Sequence, residues 1–147
     1  MQTLRSVLAS FALRTQARTW VGKTPTASDA NRTAWAIAQQ VGLPATASNP
    51  FADDGMAGLS RAQAAHVLAV AGTTSLAYDR PDPSDDAIHL AGQALADLSA
   101  GAVFLSNGLW VPGASASWTP LTAATFDCGI IGFDATHGFI FWVEEED

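Results

Sequence analysis

The C-terminal stretch of the chain permits few folds. Ile130, Ile131 and Phe133 oppose Phe139, Ile140, Phe141, Trp142 and Val143 across Asp134-Ala135-Thr136-His137-Gly138, a segment rich in turn-forming residues. An antiparallel strand with one solvated face alternates apolar and polar residues, whereas this hairpin, running from Thr125 to Glu144, is apolar on both faces. It is therefore either central, with helices over one face and something else over the other, or covered in part by a partner.

The residues before it have helical spacing. Leu4, Val7, Leu8 and Phe11 share one face, with Arg5, Arg14 and Arg18 elsewhere, which makes an amphipathic first helix. No small-residue cleavage site follows an apolar core, so this reading is preferred to a secretion or transit signal. Ser28 opens a helix to about Val41, with Trp35, Ile37 and Ala38 in its stripe, ended by Gly42 and Pro44. A polar loop with Pro50, Asp53, Asp54 and Gly55 follows. Ser60 and Gln63 form a capping box for a helix through Val67, Leu68 and Val70 to Gly72. Tyr78-Asp79-Arg80-Pro81-Asp82-Pro83-Ser84 is a proline-bracketed connection. Ser84 then caps a helix with Asp85 and Asp86 in its first turn, ending near Leu98 to Gly101.

After Gly101 the period changes to two. Ala102 to Ser106, Asn107-Gly108 and Leu109 to Val111 read as a first hairpin with a type I′ turn. A Gly/Ser/Ala linker from Pro112 to Ser117 leads to the terminal hairpin. The expectation is a single α+β domain over residues 1–147. N-terminal helices (1–100) pack on a C-terminal antiparallel sheet built from two β-hairpins (101–147).

Charge is segregated along the chain. Residues 1–80 hold all seven Lys and Arg against four acids, a net of +3, while residues 81–147 hold ten acids and no base. The only Glu residues, Glu144, Glu145 and Glu146, stand together before Asp147. Such a potential attracts a basic protein and repels phosphate backbones, so neither nucleic acid nor an anionic membrane is expected as a partner. The single Cys128 excludes an internal disulfide and fits a cytoplasmic protein. No apolar run approaches the roughly 20 residues of a membrane span.

Catalytic signals are weak. His137 sits in the turn of the last hairpin and Cys128 about 20 Å along its strand, too far for a dyad. His66 and His89 lie in helices. Asp79 to Asp86 lacks the spacing of a calcium loop, and Gly129 and Gly132 flank two isoleucines with no lysine near, unlike a phosphate loop. Asp134 is explained as a turn residue. Asp127, leading a strongly apolar run, is harder to place, and an ion pair with an Arg of the helical part is the plain account. No catalytic residue, metal ligand or cofactor is assigned, and the chain reads as a non-enzyme.

Three segments carry a resemblance: Trp118-Thr119-Pro120-Leu121-Thr122, Phe126-Asp127-Cys128-Gly129-Ile130-Ile131, and Phe139-Ile140-Phe141-Trp142-Val143-Glu144-Glu145-Glu146-Asp147. Over about the last 30 residues they resemble the endings of small immunity proteins encoded beside bacterial polymorphic or secretion-system toxins. Those endings commonly have an aspartate-led apolar strand, a turn, and a strand closing in acids. The resemblance implies a protein that neutralises a toxin by occluding its active site. The candidate contacts are Asp127, Asp134, Glu144, Glu145, Glu146 and Asp147, with Trp142 as an aromatic anchor. Two other readings stand beside it: a non-catalytic subunit or adaptor using the two-faced hairpin as a permanent interface, and a small enzyme using His66 or His89 with Asp127.

Overall fold

The computed structural model describes residues 1–52, 54–77, 82–111 and 118–146, and among them the fold is α+β. The order is α1 (Gln2–Ala12), β1 (Ala17–Lys23), α2 (Ala30–Gln39), β2 (Ala57–Leu59), α3 (Arg61–Thr73), α4 (Asp85–Leu95), β3 (Val103–Ser106), β4 (Phe126–Phe133) and β5 (His137–Glu145). The strands form one antiparallel sheet in the order β1-β5-β4-β3-β2.

The helices follow their local signals closely. α1 buries Leu4, Val7, Leu8 and Phe11, the stripe set by the sequence. The capping box of Ser60 and Gln63 opens α3, and Ser84 caps α4 through the Ala87 amide. α2 starts one residue later than expected because Asp29, not Ser28, accepts the Arg32 amide, at 2.8 Å. α4 ends at Leu95, and tighter i→i+3 bonds from Asp97 and Leu98 carry the chain through the rest of the expected helix.

The terminal hairpin is central, and both of its faces are covered by the chain itself. Phe126 pairs with Glu145 and the register continues to Phe133 opposite Gly138. Alternation along the strands sends Cys128, Ile130, Phe139, Phe141 and Val143 to one side, where α1, α3 and α4 bury them. Ile131, Phe133, Ile140 and Trp142 go to the other side, under Ala34, Ile37 and Ala38 of α2 and under Leu43, Phe51 and Leu121. Burial on both faces is the physical reason that the middle of these strands, Cys128 to Phe133 and Gly138 to Val143, holds no charged residue.

Two expectations are corrected. Residues 1–100 are not purely helical: β1 and β2 come from this part and form the two edges of the sheet. β5 gains a neighbour by pairing with all seven residues of β1, although Arg18, Gly22 and Lys23 make that segment look unlike a strand. The hairpin at Asn107-Gly108 does not form either. β3 pairs instead with β2 and β4, Asn107 is buried, and Trp110 turns the chain with φ 52°. Asp53, the segment 78–81, the linker 112–117 and Asp147 lie outside the described residues. Among the described residues, no helix is long and apolar enough to cross a membrane.

Candidate functional site

Asp127 is a wholly buried carboxylate held by neutral donors. It lies in β4 two residues before Gly129, where a Cβ would come within 2.5 Å of the Trp142 ring. Because Gly129 has no side chain, the indole lies flat across β4 and its Nε1–H donates to Asp127 Oδ1 at 3.0 Å. Asn107 Nδ2 donates to the same oxygen at 2.9 Å and to the Asp127 main-chain carbonyl at 3.0 Å. The amides of Leu121 and Thr122 and the Thr122 hydroxyl complete the set at 3.2–3.3 Å. One carboxylate thus ties β4 to β5, to the end of β3 and to the segment entering β4.

Burial pushes the Asp127 carboxyl above its usual range, opposed by the bonds from Trp142, Leu121 and Thr122. A cage of donors suits the ionised form, which offers acceptors alone. Among the described residues no arginine takes part, contrary to the ion pair expected from the sequence. Asp127 and Trp142 are both 0% exposed, which corrects their assignment as contacts for a partner. Asn107, read as a turn residue, is the member of this network that sequence reasoning missed.

The glutamates form a different arrangement. β5 runs on through Glu145, so Glu144 and Glu145 are strand residues that point to opposite faces. Glu144 Oε1 accepts from Arg18 Nε at 2.7 Å, and Arg18 Nη1 donates to the Val41 carbonyl at 2.9 Å, fastening α2's exit to the sheet. Both side chains are about one-third exposed, so the pair contributes at most about 1 kcal/mol. Glu145 accepts from Ser75 Oγ at 2.5 Å and the Leu76 amide at 2.7 Å, holding the chain as it leaves α3. Glu146 accepts from Thr125 Oγ1 at 2.6 Å.

All three glutamates line a cleft of about 460 Å³ with Arg14 to Gln16 and Ala71 to Ser75. The last turn of α3 lines this cleft and contains no basic residue, so the negative end of that helix adds to the carboxylates. Among the described residues, Arg14 is the only basic one in the lining.

Asp134 stands apart from this cleft. It lies at the turn end of the hairpin, about 23 Å along β5 from Glu144 at ~3.3 Å per residue. Partial burial raises its carboxyl, but the amides of His137, Ser99 and Thr136 and the Thr136 hydroxyl outweigh that and hold it well below the usual range. The acids expected to form one contact face are therefore split between the two ends of the hairpin and its core, and Asp147 lies outside the described residues. Cys128 is buried, His66 Nε2 lies 2.8 Å from the Trp110 carbonyl oxygen, and His89 lies 3.2 Å from Gln93. The hydrogen-bond partners of the Asp127 carboxylate are Asn107, Leu121, Thr122 and Trp142, with no histidine among them.

Fold and site together define an α+β protein with a five-stranded antiparallel sheet and an acidic cleft at one end of its central hairpin. No protein-family model, curated protein or solved structure matches the chain.

Replacing Asp127 with Asn keeps the shape but turns one acceptor into a donor facing donors. Asp127→Asn should lower the unfolding free energy by about 3 kcal/mol in urea titrations. A loss under about 1 kcal/mol would mean that the cage is not what fixes this region. At Asp134 the folded-state pKa lies below the unfolded value. Its contribution is therefore complete above about pH 4 and is lost as pH falls toward the folded value. Wild type should lose more stability than Asp134→Asn between about pH 7 and about pH 3, and equal losses would contradict the assignment.

Proposed function

We propose that this chain is a protein-binding inhibitor, in the manner of an immunity protein, that neutralises a basic partner by seating the acidic end of its sheet in the partner's cationic site. The observation that carries the reading is one cleft lined by Glu144, Glu145 and Glu146 together with the C-terminal end of α3. With three glutamates against Arg14, a cleft of that polarity fits an arginine or lysine side chain, and a net negative concavity raises association rates with a cation. The resemblance of the last 30 or so residues to immunity-protein endings supports the same reading, with the bacterial setting that it implies.

The contacts proposed are Glu144, Glu145 and Glu146 at the cleft. Asp127 and Trp142 support this surface from within, since the indole and the carboxylate brace the strand that carries the glutamates. The adaptor reading drew on an uncovered face of the hairpin, and α2 and its neighbours occupy that face.

The test is capture of a partner by the tagged chain from lysate of its own cells at low and at high salt. The expected result is one basic protein in equimolar amount, captured more weakly at high salt, whose own activity falls in the complex. A captured protein that is acidic, or one that stays fully active when bound, would contradict the proposal.

A further inference from the structure

β1 is an edge strand whose outer side meets no other strand among the described residues. All seven of its residues pair with β5 in unbroken register, from Ala17 opposite Val143 to Lys23 opposite His137, so neither bulge nor proline blunts it. Regular edges of this length template further pairing. The Thr24 amide donates to the carbonyl of Thr136, its pairing neighbour, at 3.1 Å, which fixes the phase of the ladder. Even-numbered residues of β1 bond to β5, and Ala17, Thr19, Val21 and Lys23 turn their N–H and C=O groups outward. Among the described residues, no loop takes up these outward groups.

Charge and register select the occupant. β1 is antiparallel to β5, so its Ala17 end lies beside the strand end that holds Glu144 and Glu145. Its other end carries Lys23, which is exposed and forms no ion pair among the described residues. We propose that two copies of this chain pair antiparallel through β1, about a two-fold axis at Trp20, to make one continuous sheet.

That register alone maps all seven residues onto themselves. Thr19 of each copy then faces Val21 of the other, both with outward groups, and Trp20 faces Trp20 at a non-bonded position, where side chains approach closely. Arg18 faces Gly22 and Lys23 faces Ala17, so no two cations meet. Each Lys23 arrives at the acidic end of the other sheet. Gly22 helps here, because the Trp20 ring folds over it along the edge, leaving no room for a Cβ.

Sedimentation velocity on the full chain across a concentration series tests this, together with amide exchange. The expected result is a monomer–dimer equilibrium in which the Thr19 and Val21 amides slow as the dimer forms. Thr19 is exposed and its N–H points outward, so Thr19→Pro leaves the β5 ladder intact and should weaken dimerisation at least about tenfold. Lys23→Glu, which adds an acid beside Glu144 and Glu145, should weaken it about threefold or more and decides the matter if the proline variant fails to fold. A wild type that stays monomeric at every concentration would overturn the proposal. So would a dimer that the folded variants leave unchanged, or one in which the Thr19 and Val21 amides exchange as fast as in the monomer.

Discussion

The buried carboxylate of Asp127 is the constraint on which the C-terminal half depends. A charge in an apolar interior is costly unless donors surround it, and here donors converge from separate segments: Asn107, Leu121, Thr122 and Trp142. Each donor left without this acceptor would be a buried polar group with no partner. The network therefore fixes Asn107 at the end of β3, Leu121 and Thr122 before β4, and the rotamer of Trp142 together. Gly129 makes it possible, because a side chain there would displace the indole from β4.

From that anchor the rest of the architecture follows. A central hairpin apolar on both faces needs cover above and below and a neighbour on each side. α1, α3 and α4 close one face, α2 and the loops carrying Leu43, Phe51 and Leu121 close the other, and β1 and β3 flank it. The hairpin's last strand then emerges from the core as Glu144 and Glu145, so the acids are fixed by the ladder and by Arg18, Ser75 and Leu76. Held charges of this kind present a defined surface at lower entropic cost than a loose acidic tail.

Much of this was legible from local pattern. The stripe of Leu4, Val7, Leu8 and Phe11, the caps at Ser60 and Ser84, and the terminal hairpin all depend on neighbours within a few residues, where sequence spacing is geometry. What escaped depends on distant contacts. Ala17 to Lys23 is a strand because it pairs with β5 along its whole length; within the segment only Thr19, Trp20 and Val21 favour a strand, between the charged and glycine residues that flank them. Asn107-Gly108 has the composition of a hairpin turn, but Asn107 is drawn into the core by an aspartate twenty residues away. The acids at the chain's end were visible as a charge, while their division among core, cleft and turn is a property of the fold.

The proposed working surface is the glutamate cleft. The most direct measurement is a heteronuclear NMR titration of the chain with an arginine-rich peptide at low salt. Amide shifts should be confined to Arg14–Gln16, Ala71–Ser75 and Val143–Glu146, the cleft lining, and be reversed by salt. Shifts spread over Asp29, Asp85 and Asp86, or centred on the Asp134 turn, with the cleft unmoved, would contradict it.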